Sequence, residues 1–247
     1  MSVGPPTRSQ IFELPVPARV VDKKCELLEQ AVSGISDGAS ILIGGFGESG
    51  TPNSLVAALI EQGSKDLTII TNNGGSGEFG VAALLRERRV RRLICSYPRS
   101  RNSVWFERRY AEGNIELELV PQGTLTERIR AAGAGVRAFY TATGAGTLLA
   151  EGKETRIIDG RLYILEFALG GDVALVRAEK ADERGNLVYH ASARNYGPTM
   201  AAAAALTIAE VVQPIGPVGS IDPEEIVTPG IFVDRVVQAQ DDKVALT

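Results

Sequence analysis

Between residues 20 and 140 the chain alternates two hydrophobic periods. Short apolar runs at 40–43, 67–70, 92–95 and 115–120 have the length and β-branched content of buried strands. The segments around them, 21–35, 53–61, 79–85, 104–112 and 124–132, carry apolar residues at three- and four-residue spacing. Leu27, Leu28, Ala31 and Ile35 are one such face, and these segments read as helices. Apolar strands separated by helices predict an α/β protein with an open, mainly parallel sheet and helices on both faces.

The pattern changes after about Gly144. Residues 155–158 and 161–165 flank Asp159-Gly160, which is a strong two-residue hairpin turn. Further strands are expected at 173–176 and 186–189, around a turn at 182–185, and late strands at 209–212 and 231–237. The alanine-rich run 198–206 reads as a short buried helix, so the second half is a mixed β region. No Ser-, Gly- or Pro-rich linker divides residues 21–247, which read as one domain. Pro5, Pro6, Pro15 and Pro17 leave residues 1–20 without a continuous apolar core, and this segment reads as a loosely ordered arm rather than a secretory signal.

Composition narrows the function. The 247 residues are 44% hydrophobic, enough for a substantial core. With 26 basic and 30 acidic side chains scattered along the chain, the net charge of −4 builds no basic stripe for nucleic acid. The most apolar window, 200–212, is shorter than the roughly 20 residues that cross a bilayer, so a cytoplasmic protein is expected, with neither membrane nor nucleic acid as partner. Cys25 and Cys95 form no disulfide framework or metal spacing, and His190 is the sole histidine. A His-dependent triad or a multi-histidine metal site therefore has little raw material.

The strongest chemical signal follows the first apolar strand. Gly44-Gly45-Phe46-Gly47-Glu48-Ser49-Gly50-Thr51-Pro52 leads straight into the helix that starts at Asn53. Glycines permit positive φ and close backbone approach, so N–H groups there can face an anion or a developing oxyanion. The spacing is neither the dinucleotide fingerprint nor a nucleotide-triphosphate loop. Thr71-Asn72-Asn73-Gly74-Gly75 ends the next strand and offers uncharged amide donors, although Asn-Gly is also good turn chemistry. Val120-Pro121-Gln122-Gly123-Thr124 ends another strand, with Gln122 at the rim before a helix capped by Thr124 with Glu127 three residues on. Strand ends are where α/β sheets place ligands, so these loops are expected to share one crevice.

Residues 37–52, 71–75 and 120–130, together with residues 140–147, Glu151-Gly152-Lys153-Glu154 and Ser192-Ala193-Arg194-Asn195, occur in an order that resembles the alpha subunit of family I 3-oxoacid coenzyme A transferases, from about residue 21 to 237. Cys95-Ser96-Tyr97-Pro98-Arg99, residues 148–156 and residues 228–233 resemble the 3-oxoadipate members more closely than the acetoacetate-type members.

The resemblance implies transfer of CoA from succinyl-CoA to a 3-oxoacid, through a glutamyl-CoA thioester carried by a partner chain, the beta subunit of the CoA-transferase. That glutamate sits in a Ser-Glu-Asn-Gly context, which this chain lacks. Glu48 holds a variable position of the alpha-chain signature and is not the implied nucleophile. A heterodimer or heterotetramer is implied, without a cofactor, since the CoA thioester is a substrate. By the same resemblance Asn72, Asn73 and Gln122 face the substrate carboxylate and reacting carbonyl, and Gly44, Gly45, Phe46, Gly47, Glu48, Ser49 and Gly50 border the CoA side. Phe46 could shield the thioester from water or simply pack in the core. Arg99 and Arg101 are candidates for the distal carboxylate of a dicarboxylic acceptor, which arginine binds in bidentate fashion. The general fold type also serves sugar-phosphate isomerases and repressor effector domains. The chain offers no helix-turn-helix for the second, and for the first its strand ends carry amides in place of an acid–base pair.

Overall fold

Eight parallel strands form the centre of the molecule. They are β1 (Lys24–Cys25), β2 (Ser40–Ile43), β3 (Leu67–Ile70), β4 (Val90–Cys95), β5 (Glu116–Leu119), β9 (Gly171–Ala178), β12 (Ala204–Val211) and β13 (Arg235–Gln238). Across the sheet they lie in the order β1-β13-β12-β9-β2-β3-β4-β5. The computed structural model describes residues 22–100 and 102–240, so the expected arm at 1–20 and Arg101 lie outside the described residues.

Alternation along the central strands explains why the sheet is covered twice. Ile41 and Ile43 of β2, Ile69 of β3, Leu93 of β4 and Leu175 of β9 enter one apolar cluster, with Leu55, Leu59, Leu84 and Phe106. Leu42, Ile70, Ile94, Ala174 and Val176 point the other way, toward Leu125, Ile129 and Met200. With every second residue buried on each side, the strands read as continuous apolar runs. Helices α1 (Leu28–Val32), α2 (Asn53–Gln62), α3 (Gly80–Arg86) and α4 (Val104–Ala111) supply the first layer, and α5 (Gln122–Gly133) and α6 (Gly197–Ala201) the second. Among the described residues no helix is long and apolar enough to cross a membrane.

The chain first walks outward from β2 through β3 and β4 to β5, then returns and resumes on the other side of β2 with β9. The direction of winding therefore reverses between β2 and β9. The excursion in between is antiparallel: β6 (Ala138–Thr141), β7 (Thr155–Ile158) and β8 (Arg161–Phe167) pair in the order β6-β8-β7. The Asp159-Gly160 turn takes positive φ at both residues, 50° and 75°, as a hairpin of this length demands. A second small pair, β10 (Lys180–Ala181) with β11 (Leu187–Val188), brackets the turn expected at 182–185.

Four local expectations are corrected. The helix expected over 21–35 is divided into β1 and the short α1, because the open edge of β13 recruits Lys24 and Cys25 as a parallel strand. The alanine-rich helix stops at Ala201, and Ala204 already pairs with Gly171, so β9 draws residues of high helix propensity into β12. The late strand begins only at Arg235, and the preceding Gly230–Phe232 is a 3-10 turn with Ile231 84% exposed. Helix α5 starts at Gln122 and not at Thr124, whose buried hydroxyl has no partner among the described residues, while Glu127 pairs with Arg130 instead of closing a capping box.

Charge is buried in register at the sheet centre. Glu210 of β12 stands opposite Arg177 of β9 and is fully buried. Its Oε1 accepts from Arg177 Nη1 at 2.6 Å and its Oε2 from the Leu55 backbone N–H at 2.9 Å, in the first turn of α2. Removing the carboxylate takes a counter-charge from the half-buried Arg177 guanidinium and frees a helix N-terminus. Glu210→Ala is therefore expected to lower stability by roughly 3–5 kcal/mol, measured by denaturant unfolding.

At the β5 edge, Glu118 takes Arg92 at 2.5 Å and Arg128 at 2.8 Å. Burial alone would raise its pKa, but the two guanidinium groups hold it below the usual carboxylate range. Its folded-state pKa lies below the unfolded value, so its stabilisation is complete above the ordinary carboxylate range and is lost as pH falls through the depressed value. In acid titrations of stability, Glu118→Gln is expected to flatten the limb below about pH 4.

Candidate active site

Loops from both halves of the chain meet at the carboxyl end of the sheet, above the β2/β9 reversal. Crevices at such a switch point are where open α/β sheets bind ligands. The glycine loop begins there because the Gly44 N–H continues the ladder onto Leu175 O at 3.0 Å. Phe46 and Ser49 then exchange backbone hydrogen bonds of 3.0 and 3.2 Å, closing a tight turn whose tip is Gly47-Glu48. Gly45 donates its N–H to Asn195 Oδ1 at 3.0 Å. Four of the N–H groups considered for ligand contact are thus committed to the fold. Those of Gly47, Glu48 and Gly50 have no partner among the described residues.

Asn195 fastens this loop to the second half of the chain. Besides Gly45 it bonds Tyr196 N at 2.7 Å, and its Nδ2 donates to Ser49 O and Ser192 O, both at 2.9 Å. The approach is so close that a Cβ on Gly50 would strike Ala193 O, and Gly50 also has φ +75°. Gly74 is packed in the same way, since a side chain there would meet Pro98 O, which holds the β3 and β4 loops together.

The three expected amides do gather, in two layers. Gln122, at the start of α5, reaches the surface of a cleft of about 190 Å³ that Phe46, Thr126, Asn195, Tyr196 and Thr199 also line. Asn72 is 2% exposed and sits behind it, its Oδ1 accepting from Gln122 Nε2 at 3.0 Å. Asn73 turns toward the glycine loop, donating to Gly47 O at 3.3 Å while its Oδ1 accepts from Gly75 N at 2.8 Å. It borders a narrow crevice of about 10 Å³ with Gly44, Gly45 and Glu48, room for a single water. Phe46 is 52% exposed and lines the cleft, so the expectation that it packs in the core is corrected.

The remaining candidates lie further out. Glu48 accepts a hydrogen bond from Ser76 Oγ and does not line the Gln122 cleft. Arg99 is exposed, 3.8 Å from Glu107, and is also absent from the cleft wall. Cys95 ends β4 fully buried, and burial pushes its thiol up to about 12, so it stays protonated. His190 is exposed and takes no part in the cleft.

Tyr196 and Thr199 join the site without being announced by motif, beside Thr126 of the 120–130 segment. The first is 6% exposed, and burial raises its phenol pKa despite hydrogen bonding from Thr126 and Gln122. Asn195-Tyr196-Gly197-Pro198 is the usable signal, because its polar and helix-starting residues precede a buried helix.

Neutral donors, glycine-lined backbone and a half-exposed aromatic at a switch point define a doubly wound α/β protein with an amide-lined cleft at the carboxyl end of its sheet. Residues 25–239 match the coenzyme A transferase family. The chain is 55% identical over 218 residues to the first (alpha-type) chain of the 3-oxoadipate CoA-transferase of Pseudomonas putida, covering 88% of this chain and 94% of that one. It is 50% identical over 203 residues to the corresponding chain of a succinyl-CoA:3-ketoacid coenzyme A transferase of Xanthomonas campestris pv. campestris, covering 82% and 83%. The solved glutaconate coenzyme A-transferase of Acidaminococcus fermentans shares the fold, with a TM-score of 0.77 at 21% identity over 87% of this chain and 75% of that one. The chain belongs to the coenzyme A transferase family.

The close approach at Gly50 supplies a direct check. Gly50→Ala adds a Cβ against Ala193 and strains a positive φ, so the loop must move. Its expected stability loss is roughly 1–3 kcal/mol, read from the shift in thermal midpoint, whereas Gly47→Ala meets nothing within 4 Å and is expected to lose less.

Proposed function

We propose that this chain is the alpha subunit of a two-chain CoA-transferase that moves CoA from succinyl-CoA to a 3-oxoacid, with 3-oxoadipate as the preferred acceptor. The observation that carries the reading is the 55% identity to the Pseudomonas putida 3-oxoadipate CoA-transferase chain across 94% of its length. The site agrees chemically. Each acyl exchange passes through a centre whose oxygen gains negative charge, and a preorganised neutral N–H stabilises it without trapping the free carboxylate. Gln122 is the amide that reaches the cleft, and Asn73 borders the neighbouring crevice with the glycine loop. The covalent glutamate then comes from the partner, the beta subunit, because this chain has no Ser-Glu-Asn-Gly and Glu48 lies outside the cleft that Gln122 lines.

In this reading CoA is a substrate and no further cofactor takes part. The enzyme is a cytoplasmic heterodimer or heterotetramer. Acetoacetate or another short 3-oxoacid is the second acceptor to consider, on the 50% identity to the Xanthomonas 3-ketoacid transferase chain.

Co-expression with a chain carrying Ser-Glu-Asn-Gly, followed by assay of succinyl-CoA against 3-oxoadipate and acetoacetate, tests the reading. The pair is expected to be active with a higher kcat/KM for 3-oxoadipate, and this chain alone to be inactive. Transfer by the isolated chain would overturn the division of labour. In the active pair, Gln122→Ala is expected to lower kcat by about 10²–10³, and an unchanged kcat would remove Gln122 from the oxyanion role.

A further inference from the structure

We propose that the groove between α5 and α6 holds the chain of a dicarboxylic acid, with Arg130 taking the carboxylate at its far end. The inference rests on the transferase reading and names the group that recognises the second charge of the acceptor. Arg99, the earlier candidate for that task, is absent from the cleft wall.

The cleft does not end at Gln122. A second hollow of about 270 Å³, bordered by Arg130, Gly133, Ala134, Pro198, Thr199 and Ala202, adjoins the first, and Thr199 belongs to both. Gln122, Thr126 and Arg130 are spaced four residues apart on α5, so they stand on one stripe of the helix. The two helices close on each other at Gly133, where a Cβ would lie 3.0 Å from the Ala202 Cβ. The groove therefore has an amide at one end, carbon and hydroxyl along its walls, and a cation toward the other end.

Reach selects the occupant. The Cα atoms of Gln122 and Arg130 are roughly 12 Å apart along the helix, at 1.5 Å per residue. Helical side chains lean toward the N-terminus, and Arg130 does so, since its Nε and Nη2 contact Glu127 one turn back. The guanidinium is thereby carried toward Gln122, and the remaining gap suits a short run of methylenes between two carboxylates. The pantetheine arm of CoA bears no charge until its pyrophosphate, which lies far beyond this span.

The Arg130 fork is only half used. Glu127 takes the Nε side, at 2.9 Å to Nε and 2.5 Å to Nη2, while Nη1 has no partner among the described residues. A guanidinium offers five N–H groups in one plane, and its Nη1/Nη2 edge pairs a second carboxylate in bidentate fashion. Glu127 thus orients the fork without filling it. Arg128, the other cation of α5, is committed to Glu118 and Glu166. The Arg130 side chain is 57% exposed, so its pair with Glu127 adds little stability and the residue can be replaced without loss of the fold.

The test uses the two-chain enzyme with Arg130→Met, which keeps a long stem of high helix propensity and deletes the fork. In a ping-pong exchange kcat/KM for an acceptor reports only the half-reaction that the acceptor enters, whatever Arg130 does with the donor. That for 3-oxoadipate is expected to fall about tenfold or more, and that for acetoacetate, which has no second carboxylate, to stay within about twofold. Calorimetric titration of the pair with adipate and with hexanoate gives a readout independent of turnover. Adipate is expected to bind the variant about tenfold more weakly, and hexanoate to bind both forms alike. An equal change for the two 3-oxoacids, no binding of adipate to the unsubstituted pair, or an adipate affinity that the substitution leaves unaltered would overturn the proposal. If the unsubstituted pair transfers CoA to neither acid, the transferase reading fails on its own, and the adipate titration still decides the role of Arg130.

Discussion

Glu210 ties the layers of this molecule together. Its carboxylate is fully buried, so it persists as an anion only where opposite charge and donors match it. Arg177 matches it across the β9/β12 ladder, and the first turn of α2 matches it from the helix layer. One side chain thereby fixes the register of two strands and the starting point of a helix. The loop from Gly44 to Pro52 must then run from the end of β2 to a pinned helix start, passing over β9. Its glycines are required because that path is short and crowded, most sharply where Gly50 lies against Ala193.

The site inherits its composition from this arrangement. Residues 190–199 reach the cleft only because β9 lies beside β2, which brings Asn195 to the glycine loop and Tyr196 to Asn72. The groups that converge are amides, hydroxyls and backbone N–H, and the acidic side chain on the loop is held to one side by Ser76. A chain so equipped can orient a carboxylate and steady an oxyanion while leaving covalent chemistry to another, which is how the proposed partnership divides the work.

The antiparallel sheet is joined to the same machinery by charge. Glu166 of β8 is buried, with Lys153 at 2.5 Å and Arg128 at 3.9 Å, and Arg128 continues to Glu118 and Arg92 at the β5 edge. Arg128 lies on α5, two residues beyond Thr126, so the helix that carries Gln122 is braced at its middle from both sheets. Glu166 is the buried member, and an arrangement that separates it from its cations would leave a buried carboxylate uncompensated.

Much of the fold was legible from the chain. The 40–43 and 67–70 strands, the 53–61 helix and the Asp159-Gly160 hairpin follow from period and turn chemistry, because local sequence alone decides which face is apolar and which backbone angles are allowed. Glycine and amide loops at strand ends likewise announced Gln122, Asn72 and Asn73, and the family. Tertiary structure decided the rest. Residues 24–25 became a strand because β13 had an open edge, and the alanine run yielded to β9 because ladder pairing outweighs weak helix propensity. The ordering of the amides, with Gln122 at the surface and Asn72 behind it, was also beyond sequence. Asn72 sits there beside Tyr196, 124 positions away, and a contact at that separation exists only once the fold has brought the two segments together.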